Sequence, residues 1–190
     1  MFVLVENNSI TKTVPSNRGI TIGENQYPRA IFSLWSAAER EAIGIYEVVL
    51  DTTNFKDTQY YNNTNASLTF ADGTVTSSYG PAVAKLLADV TENGVTIPGL
   101  KTRYKESIKQ QASGLLTPTD WYVLKATDVE SYSVPDSITT FRANVRTKSN
   151  DMEALIDACT SVDELATLYA YTEQEDGTHT RPLGEFPEAV

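Results

Sequence analysis

TPTDWYVLKATDVESYSVPDSITTFRANVR, residues 117–146, decides the fold of the C-terminal half because it contains two helix starts. The first is at Thr117, a capping residue followed by a proline in the first helical position. The second is at Pro135, where proline presets φ and the next residue is an aspartate suited to the first turn. A short serine-containing turn separates the two segments, so the stretch predicts an αα-hairpin.

An apolar stripe runs along the second predicted helix. Ile138, Phe141, Val145 and Met152 follow one another at steps of three, four and seven residues, which is the period of one helix face. Trp121 lies one turn into the first predicted helix, where a large amphipathic ring can anchor one helix to another. We therefore expect Trp121 to pack against Phe141 and Val145.

Charged side chains flank this expected contact. Arg142 and Arg146 are four residues apart, which places them on one helix face. In one interpretation their stems cover the hairpin while their guanidinium groups pair with Asp120 or Asp128. In the other interpretation they bind a partner protein, and the spacing fits both.

The same residues carry a resemblance to a known group of proteins. Asp120-Trp121, followed after a spacer by FRANVR at 141–146, resembles the DW…(Y/F)RxxLR signature of bacteriophage tail assembly chaperones and tail-fibre assembly proteins. Residues 100–153 are similar to small tail-associated proteins of marine bacteriophages, and residues 20–48 resemble the opening of those proteins. The resemblance implies a role in tail morphogenesis through contacts with other tail or fibre proteins, with self-association as a further option. It also implies a location in the host cytoplasm during assembly, or in the tail of the virion.

Upstream of this region, the sequence predicts a β-rich module at 1–80 with one short helix. Asn7-Asn8 and Asp72-Gly73 separate β-prone runs and predict two hairpins. Ser36 and Glu39 form a capping box that predicts the start of the helix. Tyr60-Tyr61 either belongs to the core of the module or forms an exposed edge that recognises a ligand.

The predicted helical region covers 81–172. A helical period is shown by Val83, Leu86, Leu87 and Val90. We expect a break in the helical pattern after them, at Asn93-Gly94.

A longer helix begins at Leu100, and its polar face carries the basic residues Lys101, Arg103, Lys105 and Lys109. This face is either solvated or a contact for an acidic surface, such as the protein's own tail or a neighbouring subunit. Contact with nucleic acid is a third interpretation.

Charge is divided unevenly along the 190 residues. Residues 1–150 have a net charge of −1, whereas residues 151–190 have a net charge of −9. This balance argues against nucleic-acid binding by the whole protein. The segment 173–190 lacks an apolar period, so we expect a flexible acidic tail that either solubilises the protein or docks on a basic partner. Leu183 and Phe186 in this tail would need apolar pockets, which we expect a partner to supply.

Signatures of catalysis and of cofactor binding are missing from the sequence. The single histidine, His179, lies in the predicted tail, and the single cysteine, Cys159, lies on an apolar helix stripe where a small buried side chain is expected. We therefore expect no enzyme activity, no cofactor and no metal. No apolar run approaches the roughly 20 residues of a membrane helix, so we expect no membrane insertion.

Together these patterns predict an α+β protein, in which a small β-rich N-terminal module precedes a C-terminal helical region built on an αα-hairpin. The leading functional hypothesis is a non-enzymatic phage protein that assists tail or tail-fibre assembly. The alternatives are a permanent structural component of the virion and a carbohydrate-binding module that uses the aromatic residues of the β-rich part.

Overall fold

The computed structural model describes residues 1–189. It divides into two compact units, Met1–Val83 and Ala84–Val190. The first unit is rich in strands and the second is mainly helical, which confirms the α+β class predicted from the sequence.

The N-terminal unit is built on a curled five-stranded sheet with the strand order β2-β1-β5-β8-β7. Neighbouring strands are antiparallel, except that β5 and β8 are parallel. The elements of this unit are β1 Phe2–Glu6, β2 Ser9–Val14, β3 Ile20–Ile22, β4 Asn25–Tyr27, α1 Ile31–Leu34, α2 Ala37–Glu41, β5 Ile45–Asp51, β6 Tyr61–Asn62, β7 Ala66–Ala71 and β8 Thr74–Tyr79.

Strand β1 explains the run of four apolar residues from Phe2 to Val5. Phe2 and Leu4 enter one buried cluster, while Val3 and Val5 enter another on the opposite face of the strand. A strand covered on both faces reads as a continuous apolar run rather than an alternating one. The two clusters form the core of this unit.

The predicted turns and cap of this unit are confirmed. Asn7 and Asn8 have φ values of 51° and 60°, and they connect β1 to β2. Asp72-Gly73 connects β7 to β8 in the same left-handed conformation. Ser36 accepts a hydrogen bond from the Glu39 amide, and the Glu39 carboxylate accepts one from the Ser36 amide, which completes the predicted capping box.

Tyr60 and Tyr61 do not form an exposed edge. Tyr60 is 5% exposed and Tyr61 is 9% exposed. Of the two interpretations, the core position is therefore confirmed and the ligand-recognising edge is wrong. The amides of both tyrosines donate to the Asp57 carbonyl, which closes a turn that precedes β6. The Lys56 ammonium lies 4.3 Å from the centre of the Tyr61 ring and covers it further.

The C-terminal unit is organised by two long helices. Its elements, with the two-residue strand that spans the division, are β9 Val83–Ala84, β10 Val90–Glu92, β11 Val95–Ile97, α3 Leu100–Leu116, a 3₁₀ turn Thr117–Thr119, α4 Asp120–Asp128, α5 Asp136–Ala158, α6 Val162–Tyr169, β12 Thr172–Glu173 and β13 His179–Thr180.

Residues 82–90 are not helical, contrary to the prediction from their apolar spacing. This segment instead caps the start of α3, because the carbonyls of Leu86 and Leu87 accept hydrogen bonds from the Leu100 and Lys101 amides. The amides of a first helical turn have no partners within their own helix, so these contacts satisfy them. Asn93-Gly94 is the turn of a hairpin between β10 and β11 rather than a simple break.

The helix pair at the centre of this unit is α3 and α5, which run antiparallel. Ala112 of α3 packs against Phe141 and Val145 of α5, and Val145 is completely buried. The prediction that the first arm of the hairpin begins at Thr117 is wrong. Thr117 continues from α3 with helical dihedral angles, and its hydroxyl donates back to the Ser113 carbonyl instead of capping a new helix.

The part of the C-terminal segment that contains Leu183 and Phe186 packs on the helices, whereas a flexible tail was predicted over all of 173–190. Leu183 is 1% exposed, and its amide donates to the Leu168 carbonyl at 3.0 Å. Phe186 packs against the α3–α5 cluster that contains Phe141. The apolar pockets expected on a partner are therefore supplied by the chain itself, while Val190 lies outside the described residues.

Candidate protein interaction site

The motif residues Asp120 and Arg142 form an ion pair. Nη1 of Arg142 lies 2.8 Å from Oδ1 of Asp120, which confirms one of the two predicted pairings. The same nitrogen donates to the Leu116 carbonyl at 3.0 Å and to the Thr119 hydroxyl. The Arg142 side chain is only 11% exposed. Arg142 therefore fastens α5 to the bend between α3 and α4, where a helix end leaves carbonyl groups without partners.

Arg146 behaves differently from Arg142. It is exposed, and its only polar contact within the described residues is a long hydrogen bond of 3.4 Å to the Arg142 carbonyl. No carboxylate among residues 1–189 neutralises it. Its guanidinium group is therefore available to a ligand or a partner.

Arg146 lies on a groove of about 510 Å³ between α3 and α5. Ala112 and Leu116 provide its apolar part, and the remaining lining residues are polar or charged: Lys109, Ser113, Thr117, Asp120, Arg142, Arg146, Ser149, Asn150 and Glu153. The volume is within the range of protein ligand sites. Two of its three cations are paired, Arg142 with Asp120 and Lys109 with Glu153 at 3.2 Å. The groove therefore has one cation without a counter-ion.

The basic face of α3 meets α5 rather than the tail. Lys105 forms a salt bridge of 2.7 Å with Asp157, and Lys101 donates to the Asp157 carbonyl at 2.9 Å. With the Lys109–Glu153 pair, these contacts form a ladder along the two antiparallel helices. Arg103 is exposed and makes no ion pair within the described residues. The ladder could have been found in the sequence, because Lys101, Lys105 and Lys109 recur every four residues, as do Glu153 and Asp157.

Trp121 is exposed rather than packed against Phe141 and Val145. Half of the residue is exposed to solvent, and its ring lies 3.8 Å from the neighbouring Tyr122 ring, centre to centre. The expected contact does not form because α3, not α4, occupies the apolar stripe of α5. Phe141 and Val145 are therefore core residues, whereas Trp121 belongs to the surface.

Helix α4 as a whole carries an apolar surface and buries none of its residues. Trp121, Val123 and Leu124 are 50%, 40% and 63% exposed, and Val129 just after the helix is 40% exposed. Lys125 borders this surface, with its ammonium 5.8 Å from the centre of the Trp121 ring and 4.3 Å from that of Tyr132. Adjacent exposed apolar residues on one element make it a candidate surface for contact with another protein. Trp121 was predicted to lie in the core and Leu124 was not singled out, because apolar residues three positions apart look the same in sequence on a buried and on an exposed helix face.

The chain has one cysteine and one histidine, and they lie in different surroundings. Cys159 is buried, as predicted, and burial raises the pKa of its thiol. His179 lies in an exposed two-residue strand. Residues 1–189 contain no group of three or more His, Cys, Asp or Glu side chains placed to hold a metal ion. No helix within them is long and apolar enough to cross a membrane.

The chain matches no protein-family model, and comparisons with curated proteins and with solved structures give no significant match. Its function therefore has to be inferred from its own residues.

Proposed function

We propose that this chain is a non-enzymatic bacteriophage protein that assists tail or tail-fibre assembly by binding other tail proteins through helix α4. The observation that carries the proposal is the exposed apolar surface of α4, on which Trp121 and Leu124 lie one helical turn apart. Trp is the residue most typical of energetically important positions in protein interfaces. The resemblance of residues 117–146 to tail assembly proteins supplies the biological context.

The accessible surface of the chain also supports a role in assembly. It amounts to 12336 Å² for a mass of 20.9 kDa, whereas a compact protein of this mass exposes about 9,000 Å². Two separate compact domains that share the mass would expose about 10,800 Å². The excess therefore remains even if the two units make no contact, and it exceeds the roughly 800 Å² that one partner contributes to a protein interface of ordinary size.

A genetic experiment in the phage that encodes this chain tests the proposal. The double variant Trp121→Ala/Leu124→Ala is expected to fold normally and to reduce the yield of particles with complete tails, counted by electron microscopy and by infectivity. The matched control is Val49→Ala/Leu50→Ala, which removes two apolar side chains that are 54% and 58% exposed on strand β5. Normal tails with the α4 variant would overturn the proposal.

The alternative, a permanent component of the virion, differs in one measurable respect. Quantitative mass spectrometry of purified particles would detect a stoichiometric amount of a component. A protein that acts only during assembly is expected in the infected lysate and not in particles.

A further inference from the structure

The C-terminal unit carries an exposed acidic hairpin, residues 171–180, whose first residue, Tyr171, contacts Arg181 and Glu185 just beyond it. All ten residues from 171 to 180 are exposed, and β12 and β13 pair around a turn that contains Glu175, Asp176 and Gly177. Oδ1 of Asp176 accepts hydrogen bonds from the Thr178 hydroxyl at 2.6 Å and from the Thr178 amide at 2.9 Å. These bonds lower the pKa of the Asp176 carboxyl, so it is ionised at neutral pH.

Both ends of this acidic hairpin are held in place. Helix α6 precedes it, with Leu165 fully buried, and Leu183 follows it with 1% exposure. The Arg181 guanidinium stacks on Tyr169 and Tyr171, 5.5 and 5.2 Å from the ring centres. The Arg181 side chain also pairs with Glu185 at 2.7 Å. The hairpin is therefore presented in a fixed position rather than on a loose end, which lowers the entropy that a binding event would cost.

The groove between α3 and α5 has the complementary charge. Arg146 is its cation without a counter-ion, and the serine and asparagine side chains that line it can donate hydrogen bonds to carboxylates. Glu173 and Glu175 of the acidic hairpin likewise have no ion-pair partner within the described residues. No hydrogen bond or ion pair joins the hairpin to the groove within residues 1–189, so each surface is open to another molecule.

We infer that the acidic hairpin of one copy of this chain binds the α3–α5 groove of a second copy, with Glu175 paired to Arg146. A second copy fits this local complementarity, because every copy carries both surfaces, and the contact has to outweigh the repulsion between two chains of net charge −10. Two copies that exchange these surfaces reciprocally form a two-fold dimer, whereas a one-way contact is head-to-tail and builds a ring or a filament. This inference goes beyond the proposed function, since it does not involve the apolar surface of α4.

The contact is expected to depend strongly on salt. The pairs lie at an exposed surface, and the screening length falls from about 10 Å at 0.1 M salt to about 3 Å at 1 M. Self-association should therefore appear at low ionic strength and high protein concentration and disappear as salt is added. An apolar interface would respond in the opposite direction to salts that strengthen burial.

Sedimentation velocity of the purified full chain tests the inference, with four variants measured beside the wild-type protein. Arg146→Glu and Glu175→Lys should each weaken self-association about tenfold or more at low salt, because attraction is replaced by repulsion. The double variant Arg146→Glu/Glu175→Lys has the net charge of the wild type, −10. It should regain self-association, because the reversed charges again attract.

Two matched controls separate this pairing from an effect of net charge. Arg103→Glu and Glu130→Lys change the charge of the chain by the same amounts at exposed positions that do not line the groove or the hairpin. Both should associate like the wild type, and circular dichroism should show all variants folded. The inference is overturned if the wild type stays monomeric at low salt. It is also overturned if Arg103→Glu weakens association as much as Arg146→Glu, or if the double variant does not recover.

Discussion

Arg142 and Arg146 have the same chemistry and lie one helical turn apart, yet their surroundings differ. Arg142 is enclosed and serves the Leu116 carbonyl, the Thr119 hydroxyl and the Asp120 carboxylate at once. Arg146 is exposed and has only one long contact to a backbone carbonyl. The sequence offered a structural and a partner-binding interpretation for both residues. In the structure, Arg142 has the first environment and Arg146 has an environment suited to the second.

Arg142→Ala is expected to lower the free energy of unfolding by about 1–3 kcal/mol, because it leaves buried acceptors at the end of α3 without a donor. Arg146→Ala should change it by no more than about 0.5 kcal/mol, as is usual for an exposed position. Urea titration measures both. Arg142→Lys should recover only part of the loss, since an ammonium cannot reproduce the planar geometry of a guanidinium. Equal losses of unfolding free energy for Arg142→Ala and Arg146→Ala would contradict the structural role assigned to Arg142 alone.

Tyr169 is the residue whose ionisation is most affected by its surroundings. Burial and the nearby Tyr104 hydroxyl raise the pKa of Tyr169 to about 12, although the Arg181 guanidinium opposes the change. Between its ordinary pKa of 10.0 and about 12, the unfolded chain loses a proton that the folded chain keeps. The contribution of Tyr169 to stability is therefore complete below pH 10 and is lost as the pH rises through this window.

The measurement is the midpoint of urea unfolding as a function of pH for the wild type and Tyr169→Phe. The wild type should lose more stability than the variant above pH 10, because phenylalanine cannot ionise. Parallel profiles for the two proteins would show that Tyr169 ionises equally well in the folded and unfolded chains.

At the scale of elements, the start of α3 shows how an irregular segment can stabilise a helix. Residues 86–89 supply three acceptors to its first turn: two carbonyls and the Asp89 carboxylate, which accepts from the Gly99 amide at 2.8 Å and from the Thr102 hydroxyl at 2.7 Å. These bonds lower the pKa of the Asp89 carboxyl. Gly99 is required here, because a β-carbon would lie 2.4 Å from the Ala88 carbonyl.

Asp89→Ala should lower the thermal unfolding midpoint, because it removes a cap from the helix that forms half of the central pair. The unfolding midpoint of Asp89→Asn should lie between those of Asp89→Ala and the wild type, since the amide oxygen of asparagine still accepts hydrogen bonds. Differential scanning calorimetry ranks the three proteins, with Asp128→Ala at the far end of α4 as a control that carries the same change in charge. A midpoint for Asp89→Ala that equals the wild-type value would show that the backbone carbonyls suffice.

The elements that could be predicted from the sequence are those whose signal is local. The Asn-Asn and Asp-Gly turns, the Ser36 capping box and the long helix that begins at Asp136 depend on neighbouring residues, and all are present. The prediction of a helix at 82–90 was wrong because the carbonyls of this segment bond to the amides of the first turn of α3. Only the tertiary structure brings the two segments together. The prediction that Trp121 packs in the core was wrong for a related reason. The spacing of residues does not show which of two helices covers the apolar stripe of α5.

At the scale of the whole molecule, charge was a poor guide to order. The net charge of −9 in residues 151–190 suggested a solvated tail. That count combines the end of α5, all of α6 and the tail, and it gives no weight to two apolar residues among many acidic ones. Leu183 and Phe186 decide where the segment lies, because burying such side chains is worth more than exposed ion pairs of its acidic residues would be.

The acidic residues of the tail remain at the surface while Leu183 is buried, so substitutions of the two kinds should affect stability differently. Leu183→Ala is expected to cost about 2–5 kcal/mol of the free energy of unfolding, as for other fully buried leucines. Glu188→Ala, at an exposed position, should change it by no more than about 0.5 kcal/mol.

Amide exchange gives an independent readout, because the Leu183 amide is bonded to the Leu168 carbonyl. It should exchange slowly in a verified monomer, whereas the amides of Glu175 and Asp176 in the exposed hairpin should exchange fast. Fast exchange at Leu183, together with an unchanged stability of Leu183→Ala, would return the segment to the flexible tail that its composition suggests.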